Sequence, residues 1–239
     1  MVTDKIKMYI KNFDQQIGGG IPRGHIVLIE GGPGTMKTSI AFNMLYHNAL
    51  ENKLKGLYFT LEQTVPNILM QMKQLGFDYD AVKDYMVLYD WTKERDLMET
   101  PEFDATMTWK DLMQMLLRSA GDLSDYDLLV IDSINVLYCI VSPASDFRRH
   151  YFQLFQKLRK SGVTTLLIAE MNPNMPHSSD NSVLEFLVDG VIRLDIKIIS
   201  DQNVQRRIRC VKMRGVDHNM GYFTLLFKKN QFQATSTIE

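Results

Sequence analysis

The residues best suited to chemistry form one run, Glu30-Gly31-Gly32-Pro33-Gly34-Thr35-Met36-Lys37-Thr38. Gly31, Lys37 and Thr38 fit the pattern G-x-x-x-x-G-K-S/T. In it, successive backbone N–H groups wrap a nucleotide's phosphates, the lysine neutralises their charge and the hydroxyl ligates Mg²⁺. Gly31, Gly32, Pro33, Gly34, Thr35, Met36, Lys37, Thr38 and Ser39 are therefore expected to hold the phosphates. Met36 stands where the pattern has its second glycine, and a side chain there is expected either to crowd the phosphates or to force a different backbone path.

A phosphate loop works only between a strand and a helix, because the helix N-terminus must aim its unpaired N–H groups at the anion. The flanks agree. His25 to Ile29 is a short apolar run, and Ile40, Ala41, Met44 and Leu45 share one helical face after Lys37. A second signature lies downstream, where the apolar run Leu128 to Ile131 ends in Asp132. An acid at that strand end is positioned to orient the water shell of a Mg²⁺ ion held by Thr38. Hydrolysis further requires a group that aligns and deprotonates water, and Glu62, after the strand at Gly56 to Leu61, is the candidate general base.

The elements that must position these residues alternate. Apolar runs at His25 to Ile29, Gly56 to Leu61, Met86 to Tyr89, Leu128 to Ile131 and Thr164 to Ala169 read as strands buried on both faces. Amphipathic stripes lie between them. One is Val65, Ile68, Leu69, Met72 and Leu75, with Thr64 as N-cap and Pro66 in the first turn. Another runs from Trp109 to Leu117, and a third comprises Phe147, Tyr151, Leu154, Phe155 and Leu158. Such alternation predicts an α/β fold: a mostly parallel sheet covered by helices, with ligands at the carboxyl ends of the strands. In the last third, Gly190 to Ile199, Gln205 to Met213 and Tyr222 to Phe227 read as strands with no helix long enough to cross over, hence as antiparallel additions.

At 239 residues without a linker-like tract, one domain spanning 1–239 is expected. The 27 Lys and Arg nearly balance the 28 Asp and Glu, so the overall charge favours neither nucleic acid nor an anionic membrane as partner. No apolar stretch approaches a membrane span and no signal-peptide region is visible, which points to a cytoplasmic protein. Cys139 and Cys210 belong to no metal or redox cluster and are expected in the core. Core filling is also the reading for Met44, Met72 and Met113.

At this level of detail the chain resembles the KaiC-like branch of the RecA-type ATPases over nearly its whole length. Phe13-Asp14 with Gly18-Gly19-Gly20-Ile21-Pro22-Arg23-Gly24 is similar to the family's lead into the first strand. Thr60-Leu61-Glu62-Gln63 resembles its strand-end pair of glutamates, Glu185 to Asp189 its E-x-x-x-D segment, and Lys212-Met213-Arg214-Gly215-Val216-Asp217-His218 its K-x-R-G-x-x-H segment. The resemblance implies a RecA-like fold and ATP with Mg²⁺ as ligands; ATP over GTP rests on the family alone. It also implies a homo-oligomeric ring, usually a hexamer, in which Lys212 and Arg214 reach the nucleotide of the neighbouring subunit. Beyond Met36, two departures stand out. Gln63 replaces the second glutamate, and Glu185 and Phe186 stand where autophosphorylating clock proteins of the family carry Ser and Thr, which argues against an autokinase cycle. Three functions stay open: a ring-forming ATPase acting as a regulatory switch on an unidentified protein partner, a nucleotide-responsive scaffold with little hydrolysis, and a DNA-binding ATPase using Arg148, Arg149, Lys157, Arg159 and Lys160. Without the resemblance, Lys212 and Arg214 with Arg206, Arg207 and Arg209 read as a solvated basic hairpin.

Overall fold

Residues 5–92, 118, 121–137, 147–171 and 179–236 are described by a computed structural model, the side chains of 147 and 179–182 excepted. The predicted helix at Trp109 to Leu117, with Met113, and Cys139 lie outside the described residues. Strands are β1 (Lys5–Ile6), β2 (Ile10–Lys11), β3 (Ile21–Pro22), β4 (Ile26–Gly31), β5 (Gly56–Thr60), β6 (Met86–Asp90), β7 (Leu128–Asp132), β8 (Thr164–Glu170), β9 (Gly190–Ser200), β10 (Asn203–Met213), β11 (Phe223–Lys228) and β12 (Gln231–Ser236). Helices are α1 (Lys37–Asn52), α2 (Val65–Gln74), α3 (Phe147–Ser161) and α4 (Ser179–Leu187).

A ten-stranded sheet has the order β2-β12-β11-β10-β9-β4-β8-β7-β5-β6. From β6 to β9 every neighbouring pair is parallel, and β9, β10, β11 and β12 then alternate in direction. Successive residues of a strand point to opposite faces, so the continuous apolar runs feed two cores. Val27 and Ile29 pack with Tyr58, Val130, Ile168, α1 and α2. Ile26 and Leu28 pack with Phe59, Leu129, Leu167, α3 and α4. The α3 stripe is buried as its period implies, at Tyr151, Leu154, Phe155 and Leu158. Truncating one such residue, Leu158→Ala, costs about 2–5 kcal/mol. Cys210, Met44 and Met72 are likewise buried. Thr64 is the N-cap of α2 in extended conformation, but its side chain makes no capping hydrogen bond.

One expectation is corrected. Gly190 to Ile199 does not join as an antiparallel strand: β9 pairs in parallel with β4, Val27 opposite Gly190 and Gly31 opposite Leu194. The crossover is supplied by α4, whose nine residues are too few for a clear periodic signal. Beyond β9 each strand reverses on the one before it, and β12, which was not among the expected strands, alternates buried Phe232 and Ala234 with more exposed neighbours.

The N-terminal segment packs against the body of the domain. Ile6, Met8 and Ile10 are buried, and the Asp14 carboxylate accepts from the amides of Met8 at 2.7 Å and Ile10 at 3.3 Å. Asn43 and Asn48 of α1 donate to the carbonyls of Met8 and Lys7 at 2.9 and 2.8 Å. This strap therefore rests on the helix that follows the phosphate loop. Among the described residues no helix is long and apolar enough to cross a membrane.

Candidate nucleotide site

The loop begins where β4 ends. A Cβ at Gly31 would stand 2.6 Å from the Leu194 carbonyl oxygen and 2.9 Å from Thr35 Oγ1, so only glycine fits between β9 and the loop. Thr35 Oγ1 donates to Gly32 O at 2.7 Å, and Arg206 of β10 donates to Gly34 O at 3.0 Å, which ties the loop to itself and to the hairpin beside it. Met36 is in the left-handed region, φ 73°, ψ 28°, and α1 starts at the next residue. The backbone thus keeps a glycine-like conformation at Met36; the expected alternative path is not taken. The departure from glycine is met instead by local strain, on the order of 1–2 kcal/mol for an L-residue in this region, partly offset by packing of the thioether against the α1 core.

Lys37 and Thr38 occupy the first turn of α1. Lys37 Nζ donates to the carbonyls of Gly31 at 2.9 Å and Gly32 at 3.0 Å, so the ammonium lies inside the curl of the loop. Burial lowers its pKa while Glu170, Asp132 and Glu62 oppose that shift. Thr38 Oγ1 donates to Asp132 Oδ2 at 2.8 Å, which brings the two expected Mg²⁺ residues together. The same oxygen accepts from the Tyr58 hydroxyl of β5. Burial raises the Asp132 carboxyl and the two hydroxyls counteract it. Burial, followed by the Asp132 charge, holds the Tyr58 phenol well above its ordinary value.

Pairing of β5 with β7 puts Thr60 opposite Asp132, and Leu61 N donates to Asp132 O at 2.7 Å. The residues that follow each strand are therefore adjacent: Ser133 Oγ donates to Glu62 Oε1 at 2.6 Å. Glu62 is exposed at the mouth of a cleft of about 340 Å³, whose walls include Gly34, Lys37, Thr38, Gln71, Asp132 and Glu170. Gln63, the family departure, bonds to Gln71 at 3.0 Å on the same wall. The arrangement offers a cation and helix N-terminus for phosphates, two hard oxygens for a divalent ion, and a solvent-facing carboxylate for water.

The profile of the family described as "ATPase: KaiC" matches residues 6–232. The chain belongs to the KaiC ATPase family. A circadian clock oscillator protein KaiC from Rippkaea orientalis is 28% identical over 92% of the chain, which spans only 42% of that protein's length. UPF0273 proteins are matched over nearly their full length: one from Thermotoga maritima is 30% identical over 90% of this chain and 89% of its own, and one from Aeropyrum pernix is 29% identical over 92% and 88%. The crystal structure of KaiC-like protein PH0186 from Pyrococcus horikoshii superposes with a TM-score of 0.79 at 26% identity, covering 96% of this chain and 98% of that one. The mixed sheet is accordingly the RecA-like KaiC fold.

Lys212 and Arg214, by contrast, are not brought to Lys37. β10 runs back along β9, with Met213 opposite Gly190, and His25 Nε2 contacts Arg214 O at 3.1 Å. Arg214 is thus level with the start of β4 while the phosphate loop leaves its end, a separation of roughly 20 Å along six residues of strand. Lys212 Nζ donates to Glu185 O and Val188 O at 2.9 and 2.7 Å, at the C-terminus of α4, where a cation meets the helix's unpaired carbonyls. Burial, then the Arg214 charge, pulls its ammonium below the ordinary value. Arg214 pairs with Asp189 at 3.0 Å and remains half exposed. Of the basic residues considered for DNA, Arg159 is taken up by the same Asp189 at 3.1 Å. The basic hairpin is likewise engaged, with Arg207 paired to Asp195 at 2.6 Å and Arg209 over the Tyr222 ring.

Sequence reasoning missed Tyr58, Ser133 and Glu170. Glu170 carried a usable signal, since it ends β8 as Asp132 ends the neighbouring β7. Tyr58 read as an ordinary buried strand aromatic, and nothing short of the β5–β7 pairing could reveal its partner.

Proposed function

We propose that this chain binds ATP with Mg²⁺ and hydrolyses it slowly as one subunit of a homo-oligomeric ring, most simply a hexamer, working as a nucleotide-driven regulatory switch in the cytoplasm as a single 1–239 domain. The observation that carries this reading is the convergence of Lys37, Thr38, Asp132 and Glu62 on one cleft. Lys37 and the amides of Gly31 to Ser39 would neutralise the phosphates. The Thr38 hydroxyl and the Asp132 carboxylate would hold Mg²⁺, since they are the one or two hard protein oxygens such an ion takes beside phosphate, and the ion would supply neutralisation of phosphate charge. Glu62, held by Ser133, accepts the proton of the attacking water.

Charge developing on the γ-phosphate calls for a further cation. Lys212 and Arg214 lie at the opposite end of the strands from their own loop, level with the start of β4, so in a head-to-tail arrangement they face the next subunit's cleft. That cleft presents Glu62 and Glu170, a charge match for the approaching basic edge. A rotation that closes makes a ring. The rival scaffold reading draws on the strained Met36 and on Gln63. Turnover separates the two: the wild type should hydrolyse ATP at a rate that Lys37→Ala lowers at least about 100-fold, and equal background rates for both would remove the hydrolase reading.

A further inference from the structure

The carboxylate that the proposed function assigns to Mg²⁺ is buried, with Asp132 9% exposed. A buried carboxylate is held charged by hydrogen bonds to it. Two hydroxyls provide them, both to Oδ2: Thr38 and Tyr58. They are not equivalent. Thr38 is itself a ligand of the ion in the proposed site. Tyr58 lies one layer below, fully buried, and its ring is packed 6.1 Å from that of Phe42 of α1. Tyr58 pairs with Val130 and Thr60 with Asp132, so the phenol reaches diagonally from β5 to a side chain on the same face of the neighbouring β7, a span that an aromatic residue can bridge.

We infer that Tyr58 is a positioning residue for the metal: its hydroxyl fixes the Asp132 carboxylate so that the other oxygen, Oδ1, is presented toward the ion's water shell beside Thr38. This rests on the Mg²⁺–nucleotide reading of the site. Such outer partners orient the groups nearest a metal, and their loss weakens metal binding about 10–100-fold. The Glu62–Ser133 pair lies outside this linkage, as does Lys37, which bonds to the loop carbonyls. Nucleotide affinity without metal should therefore not depend on Tyr58.

Tyr58→Phe removes one oxygen and keeps the ring in its packing. The experiment titrates a fluorescent ATP analogue against wild type and variant in EDTA, then titrates Mg²⁺ into each nucleotide complex, with Mn²⁺ followed by electron paramagnetic resonance as a direct metal readout. The expected result is nucleotide affinity in EDTA within about twofold of wild type and apparent metal affinity lower by at least about tenfold. In an Asp132→Asn background the same Tyr58→Phe change should have little further effect on metal affinity, as expected of two residues that act through one contact. Metal affinity of Tyr58→Phe within twofold of wild type would overturn the inference, as would an equal drop in EDTA and in metal, or an undiminished effect in the Asp132→Asn background. A wild type whose nucleotide binding is indifferent to Mg²⁺ would instead bring down the metal reading itself, and the inference with it.

Discussion

Replacing Met36 by glycine and by alanine gives opposite answers depending on the backbone at this one residue. At an ordinary helical position alanine is more stable than glycine by about 0.8–1 kcal/mol. At φ 73°, ψ 28° the order should reverse. Both variants lose the thioether's half-buried packing, about 1 kcal/mol when a fully buried methionine is worth about 1.5–3. Alanine keeps the left-handed strain of about 1–2 kcal/mol, whereas glycine releases it. Glycine's looser unfolded chain returns about 0.4–1 kcal/mol of that. The sum places Met36→Gly within about 1 kcal/mol of wild type and Met36→Ala less stable than Met36→Gly by up to about 1.6 kcal/mol, about 0.8 kcal/mol at mid-range, which is about 2–3 °C in Tm for a chain of this size. Urea unfolding of the three proteins without nucleotide measures it directly. Alanine proving the more stable of the two would refute the left-handed assignment, and with it the view that the loop keeps its phosphate-wrapping path despite the side chain.

Mixing Lys37→Ala with Arg214→Ala chains tests the trans cation. Each alone should be inactive, and random assembly at equal amounts should restore about one quarter of wild-type turnover, because half the sites keep Lys37 and half of those face an intact Arg214; no recovery after subunit exchange would rule out delivery across an interface. Light scattering with ATP and Mg²⁺ should show an oligomer, and a monomer would contradict the ring. Burial raises the Asp14 carboxyl to about 6, against the pull of the Met8, Ile10 and Tyr9 amides. Between about pH 4 and pH 6 the folded chain then binds more protons than the unfolded one, so stability should fall by about 2–3 kcal/mol as pH rises through that window and level off above it. Denaturant titrations at several pH values should show this slope in the wild type and lose it in Asp14→Asn.

The candidate loop residues and the Asp132 strand end were legible because each is a local pattern: a glycine loop between strand and helix, or an acid closing an apolar run; Glu62 stood out from other strand-end acids only through the family resemblance. The buried strands and the stripes of α2 and α3 were legible for the same reason, since burial on one face or both leaves a period in the chain. Tertiary structure alone decided the direction of β9, because a nine-residue helix and a continuous apolar strand look alike whether the chain returns in parallel or not. It alone decided that Tyr58 meets Asp132 and Ser133 meets Glu62, contacts between residues 74 and 71 positions apart. It also decided that Lys212 and Arg214 stand away from their own loop, since strand register sets distance across a sheet and sequence separation does not. Residue type and local order determined which chemistry this chain can hold; the pairing of distant strands, invisible to any local pattern, determined which side chains meet to perform it.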